Sequence, residues 1–174
     1  VLHTSTGTIH NLVNGLGRYI DDVVVSSQDP SIVFTDRTLA FTYAVGGFGT
    51  DRNIWIMRAV STSPEEEWAN DQVTTNDSVD EHSPHWVRNS GTAYEGQLVY
   101  VSGPSGDPEN IRMMPAQQFG VNSSVPLTFF DSFSTREISS PKWCTGYDWE
   151  NEEVFHRVVF GMRTSSSDHW DLYM

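Results

Sequence analysis

One segment occurs three times in this 174-residue chain, and two of the copies are nearly complete. Each complete copy opens with Ser-Pro-x-Trp: Ser83-Pro84-His85-Trp86, then Ser140-Pro141-Lys142-Trp143. Each runs on to an apolar triplet, Leu98-Val99-Tyr100 and then Val158-Val159-Phe160. A turn rich in Gly, Ser and Asp follows. A second apolar run closes the copy, Asn110-Ile111-Arg112-Met113-Met114 and then Asp171-Leu172-Tyr173-Met174. An earlier copy holds Leu39-Ala40-Phe41, a Gly-rich turn, and Asn53-Ile54-Trp55-Ile56-Met57. The offsets agree: Pro84 to Pro141 is 57 residues, Asn53 to Asn110 is 57, and Asn110 to Asp171 is 61.

A repeat of this length that reads strand, turn, strand is the mark of a β-propeller blade. The expected fold is therefore an all-β propeller with four-stranded antiparallel blades. About three blades are represented, as part of a six-bladed or larger ring. Residues 1–28 read as the end of a preceding blade, 29–82 and 83–139 as blades, and 140–174 as an incomplete one. In the first blade, 32–34 is the expected inner strand, followed by strands at 39–43 and 53–60 and an outer strand at 72–75. Alternation puts Ile54 and Ile56 on one face of the third strand, and Trp55 and Met57 on the other. Residues 83–86 and 125–130 are the expected inner and outer strands of the next blade. The chain opens on Val1 and closes on a mid-blade match at Asp171-Leu172-Tyr173-Met174, which reads as a piece of something longer.

Net charge is −13, from 10 basic and 23 acidic residues. Such a surface repels nucleic acid and anionic lipid. It suits cationic partners, calcium or neutral sugars. No apolar run approaches the roughly 20 residues that span a bilayer. Cys144 is the one cysteine, so no intrachain disulfide can form, and its apolar neighbours predict a buried, inert thiol.

The ordered set Leu39-Ala40-Phe41, Gly46-Gly47-Phe48-Gly49, Asn53-Ile54-Trp55-Ile56-Met57-Arg58-Ala59 and Trp68 resembles the TolB-like propeller repeat, the WD40-like group known as PD40. Asp80-Glu81-His82-Ser83-Pro84 continues the resemblance into the next copy. It covers about residues 29–114, and more loosely 138–174. The usual Ser-Pro-Asp-Gly turn is replaced by Arg88-Asn89-Ser90-Gly91 and Gly146-Tyr147-Asp148-Trp149. The resemblance implies a non-catalytic binding or scaffold module for protein or glycan, secreted, periplasmic or at the cell surface. It also implies a ring, completed by further blades of the same polypeptide or by another chain.

Three groups of residues are candidates for function. Asp80, Glu81, His82 and His85 form the densest polar cluster, at the expected entry to an inner strand, where propeller ligands meet the channel mouth. The two histidines are three apart, which on a regular strand puts them on opposite faces and argues against a zinc pair. Tyr147 and Trp149 stand in an acidic insertion that breaks the repeat, a second candidate for ligand or partner contact. Asp51, Asp107 and Asp168 open the turns before the third strands. Clustered oxygens there suit calcium, but the same side chains can simply fix the turn. No other cofactor is suggested.

Asp29-Pro30-Ser31-Ile32 raises a different possibility. Five-bladed glycoside hydrolases of the arabinanase type carry Asp-Pro-x-Ile with the Asp as general base. Asp29 and Glu81 would then be the two carboxyl groups that such hydrolysis, or a lyase reaction on polysaccharide, requires. Glu137 is the nearest third acid. A further alternative is a structural subunit, stable only inside a larger assembly.

Overall fold

The computed structural model describes residues 2–3, 8–9, 18–25, 38–45, 52–61, 67–74, 79–87, 93–94, 96–103, 108–115, 124–128, 136–164 and 169–174. Every regular element among them is a β-strand, and every pairing is antiparallel. A short hairpin joins β1 (Leu2–His3) to β2 (Thr8–Ile9). The first sheet is β3 (Arg18–Val25), β4 (Thr38–Val45), β5 (Arg52–Ser61) and β6 (Glu67–Gln72) in that order. The second is β7 (Asp80–Trp86), β8 (Gln97–Gly103), β9 (Asn110–Pro115) and β10 (Val125–Pro126). The third is β11 (Glu137–Asp148), β12 (Glu153–Arg163) and β13 (Asp171–Tyr173). Each sheet is an up-and-down meander.

The three sheets share more than strand order. The first strand of each carries a β-bulge at the same ladder position. Asp21 pairs with Thr42 and Val24 with Ala40, so Asp22 and Val23 lie opposite Phe41 alone. Ser83 and Pro84 lie opposite Tyr100, and Ser140 and Pro141 opposite Phe160. Proline has no N–H to give a ladder, so a bulge is where a strand tolerates it. The serine before it takes a left-handed backbone, with φ of 52° at Ser83 and 48° at Ser140. The Ser-Pro repeat is thus the sequence trace of a bulge set against an aromatic residue.

A second shared feature ties down the outer strands. Val73 and Thr74 donate backbone N–H groups to the Ile54 carbonyl, and Ile54 N–H donates back to Thr74 Oγ1 at 2.8 Å. Leu127, Thr128 and Ile111 repeat this clasp, with Ile111 N–H to Thr128 Oγ1 at 2.9 Å. The threonine hydroxyl replaces a ladder carbonyl where pairing ends, so a buried N–H is not left unsatisfied.

Apolar side chains hold the sheets face to face. Ile54, Ile56 and Val73 of the first sheet meet Trp86, Leu98, Tyr100 and Met114 of the second. On the other side of the second sheet, Val87, Val99, Val101, Ile111 and Met113 meet Ile138, Phe160 and Met162 of the third, with Trp143 and Val158 packed at the margin. Alternation along β8 sends Leu98 and Tyr100 one way, and Val99 and Val101 the other. The second sheet is therefore covered on both faces.

Three expectations are corrected. The strand beside β4 is Arg18–Val25, which the repeat spacing assigned to a preceding unit, while 32–34 lies outside the described residues. Asp29-Pro30 mimics Ser-Pro in sequence, but β3 forms its bulge from Asp22 and Val23, without a proline. His82 and His85 do not alternate: their partners Val101 and Val99 are two apart, because the bulge absorbs the odd residue. Cys144 is exposed rather than buried. It sits where the β11–β12 hairpin carries few neighbours, opposite Arg157. The expected alternation at Ile54 and Ile56 is found, with both fully buried and Trp55 partly exposed.

Candidate functional site

The polar cluster at the start of β7 is used between the sheets. Asp80 faces Arg52, the first residue of β5. Arg52 Nε donates to Asp80 Oδ1 at 2.8 Å, Nη2 to Oδ2 at 2.6 Å, and the backbone N–H to Oδ1 at 3.1 Å. A two-pronged guanidinium–carboxylate contact is among the stronger polar pairings. Burial pushes the Asp80 carboxyl up, but the Arg52 hydrogen bond and charge, with a smaller pull from His82, more than offset this and hold it below its ordinary 3.8.

His82 is engaged on the opposite side of the second sheet. Its Nε2 lies 3.0 Å from Glu109 Oε1, and its Nδ1 3.0 Å from Ser83 Oγ. The other Glu109 oxygen accepts the backbone N–H of Ile138 in β11, and Glu109 N–H donates to the Arg136 carbonyl at 3.2 Å. Glu109 precedes Asn110 as Arg52 precedes Asn53. One charged residue at the same repeat position thus reaches forward to the next sheet in both cases. The position was legible in the sequence, but reading those turns as calcium candidates hid its role.

Glu81 is buried, on the Tyr100 side of β7, and its charge helps raise the Tyr100 hydroxyl above its ordinary value, although burial is the larger cause. His85 is half-buried. Asp29, the proposed carboxylate partner of Glu81, lies outside the described residues, as do Asp51, Asp107 and Asp168. Glu137 occupies the ladder position of Asp80 and pairs with Arg163, whose Nε donates to Oε2 at 2.9 Å. Asn110, beside the calcium candidates, donates to the Pro108 carbonyl at 3.3 Å and accepts from the Thr128 hydroxyl at 3.2 Å, which fixes the turn. Among the described residues, no group of three or more His, Cys, Asp or Glu side chains is arranged to hold a metal ion.

The second candidate region is different in kind. β11 and β12 run 12 and 11 residues, against seven for both β7 and β8. Past Trp143, most residues of this hairpin are exposed. Its root is braced by aromatic contacts: Trp143 stacks on His156 at 5.6 Å and leans on Tyr94 at 5.6 Å. Phe155 lies across Gly146, where a Cβ would meet the ring at 2.3 Å, so only glycine allows this cover. At the tip, Asp148 Oδ1 accepts the Glu150 and Asn151 backbone N–H groups at 2.9 and 3.3 Å, and Oδ2 accepts Asn151 Nδ2 at 2.8 Å. The Asn151 side chain first, and then these backbone donors, hold the Asp148 carboxyl below its ordinary range.

This closed tip presents Tyr147 and Trp149 together. Their rings meet edge to face at 4.7 Å, and Trp149 is 84% exposed. Glu150, Glu152 and Glu153 are exposed around them. Among the described residues, no helix is long and apolar enough to cross a membrane. Compared with family models, curated proteins and solved structures, the chain matches none.

Proposed function

We propose that the chain is a non-catalytic recognition module of the β-propeller type, with its sheets as TolB-like blades. It would bind a basic protein surface through the tip of the β11–β12 hairpin. Meanders of four, four and three strands, bulges at one ladder position and face-to-face stacking support the blade reading. Placement in the cell envelope or outside the cell rests on the sequence resemblance.

The observation that carries the binding site is Trp149, 84% exposed on a braced hairpin beside Tyr147. Exposing an indole to water is unfavourable, and tryptophan and tyrosine are the usual anchors of interfaces. Glu150, Glu152 and Glu153 around the pair, within a chain of net charge −13, favour a cationic partner and speed its approach. By contrast, Asp80 and His82 already spend their polar atoms on Arg52 and Glu109.

The test is a binding panel of basic, neutral and acidic proteins together with neutral glycans, run at low and physiological salt. Selective capture of basic proteins, weakened by salt and abolished by Trp149→Ala, is the expected result. Binding of neutral glycans alone, or binding indifferent to Trp149→Ala, would refute the basic-protein reading.

A further inference from the structure

Two aromatic rings of the third sheet carry a guanidinium on their face. Arg157 lies over the Phe155 ring at 4.6 Å. Arg163 lies over the Trp170 ring at 4.7 Å, and its Nε donates to Glu137 Oε2 at 2.9 Å, so an indole face and a carboxylate grip one guanidinium between them. A planar cation suits this grip, because its face meets the ring while its edge N–H groups point outward at an acceptor. The tip of the β11–β12 hairpin brings the same two kinds of group together without a cation. From Trp143 to His156 there is no Lys or Arg, whereas Asp148, Glu150, Glu152 and Glu153 are acidic. Among the described residues, the one ring contact of Trp149 is with Tyr147, and Trp149 stays 84% exposed. The Asp148 carboxylate is taken up by Glu150 and Asn151. The exposed carboxylates of Glu150, Glu152 and Glu153 form no ion pair among the described residues.

Given that the hairpin tip is the contact for a basic protein, we infer that it takes an arginine side chain of that partner. The guanidinium lies on the open face of the Trp149 indole and is held at its edge by Glu152 and Glu153. Arg163, between Trp170 and Glu137, is the chain's own example of this contact. A lysine ammonium is a more strongly hydrated point charge and cannot lie flat on a ring, so the tip discriminates between the two cations. The exposure of the pair does not depend on the face of the third sheet that carries Leu172. Tyr147 stands four residues beyond Trp143 in an unshifted ladder, and so on the face that Trp143 and Val158 turn toward the second sheet. Glu152 has a left-handed backbone, with φ of 55°, where glycine is the usual residue. Glu152→Gly therefore removes a carboxylate without straining the turn.

The experiment titrates the 174-residue chain with glycine–serine peptides that carry several arginines, or lysines or citrullines at the same places. Binding is followed by NMR at the Trp149 indole N–H, assigned by its loss in Trp149→Leu. The arginine peptide should shift that signal and bind about fivefold more tightly than the lysine peptide, with citrulline weakest. Trp149→Leu, which keeps an apolar side chain but no ring, should abolish the preference for arginine over lysine. Glu152→Gly with Glu153→Gln should weaken the arginine peptide by about fivefold, and circular dichroism should show the fold retained. Equal affinity for arginine and lysine at the tip, or an arginine affinity unchanged by the double variant, overturns the arginine contact and leaves the basic-protein reading standing. No shift of the Trp149 signal with any peptide, or citrulline bound as tightly as arginine, overturns both.

Discussion

The second and third sheets begin alike and end differently. Both open on a Ser-Pro bulge set against an aromatic, and both send that aromatic toward the sheet before. The second sheet then buries Val99, Val101, Ile111 and Met113 under β11 and β12. The third carries Val159, Gly161, Leu172 and Met174 in the same places, with Leu172 and Met174 largely in solvent. The difference teaches that one sequence pattern gives a core or a surface according to the neighbour, since burial belongs to the stack rather than to the strand.

The sharpest way to break this comparison is to truncate matched residues. Ile111→Ala should cost about 2–5 kcal/mol of stability, as buried aliphatic truncations do. Leu172→Ala, at the same ladder position, should stay within about 0.5 kcal/mol in the dilute single chain. Urea unfolding of both variants at low concentration measures the pair. Equal losses would mean that the third sheet is already covered.

The polar links between sheets come next. Glu109→Ala removes the acceptor of the Ile138 N–H and the partner of His82, and should cost about 1–3 kcal/mol through unsatisfied groups. Its loss should show first as faster amide exchange at Ile138, measured by hydrogen–deuterium exchange. If exchange at Ile138 is unchanged, the carboxylate does not hold the second sheet to the third.

The threonine clasps offer an internal control. Thr74→Val and Thr128→Val keep shape but remove the hydroxyl that accepts from Ile54 or Ile111. Thr74→Val should lose about 1–3 kcal/mol, because the Ile54 N–H is left without its acceptor, and Thr128→Val somewhat more, because the Asn110 side chain also loses a donor. Equal losses, read by thermal unfolding, would mean that the bond from Thr128 to Asn110 adds nothing to stability.

The smallest effect concerns acid. The folded Asp80 carboxyl lies below its ordinary 3.8, so its contribution is present above that value and fades as pH falls through the folded one. Asp80→Asn should therefore be less stable at neutral pH, and should flatten the acid limb of the stability curve below about pH 4. Both partners are partly exposed, so solvent and salt keep the effect under about 1 kcal/mol. An unchanged acid limb would show that the Arg52 contact is not felt in the folding equilibrium.

Much of the fold was legible because it repeats. Apolar triplets, glycine turns and Asn-Ile openings located β4, β5, β8, β9 and β12. The bulges were not legible as bulges, although Ser-Pro marked two of them. The third, at Asp22-Val23, has no proline to mark it, and the strand beside β4 was expected at 32–34 instead. The same blind spot misplaced His82 and His85, because period-two reasoning assumes an unbroken strand. Of the candidate sites, Tyr147 and Trp149 stood out as a break in the repeat, and the structure puts them together at an exposed tip. Asp80 and His82 stood out as a polar cluster, but their partners Arg52 and Glu109 are 28 and 27 residues away, and no local pattern joins them.

By itself the sequence determined that this chain is built of β-strands in repeated units, acidic outside, with an aromatic insertion in the last copy. Those properties live in local spacing and composition. Only the tertiary structure decided which faces are core, which carboxylates are occupied, and where Cys144 lies. Those depend on what the chain brings alongside, and a strand's alternation specifies two faces without saying which of them meets water.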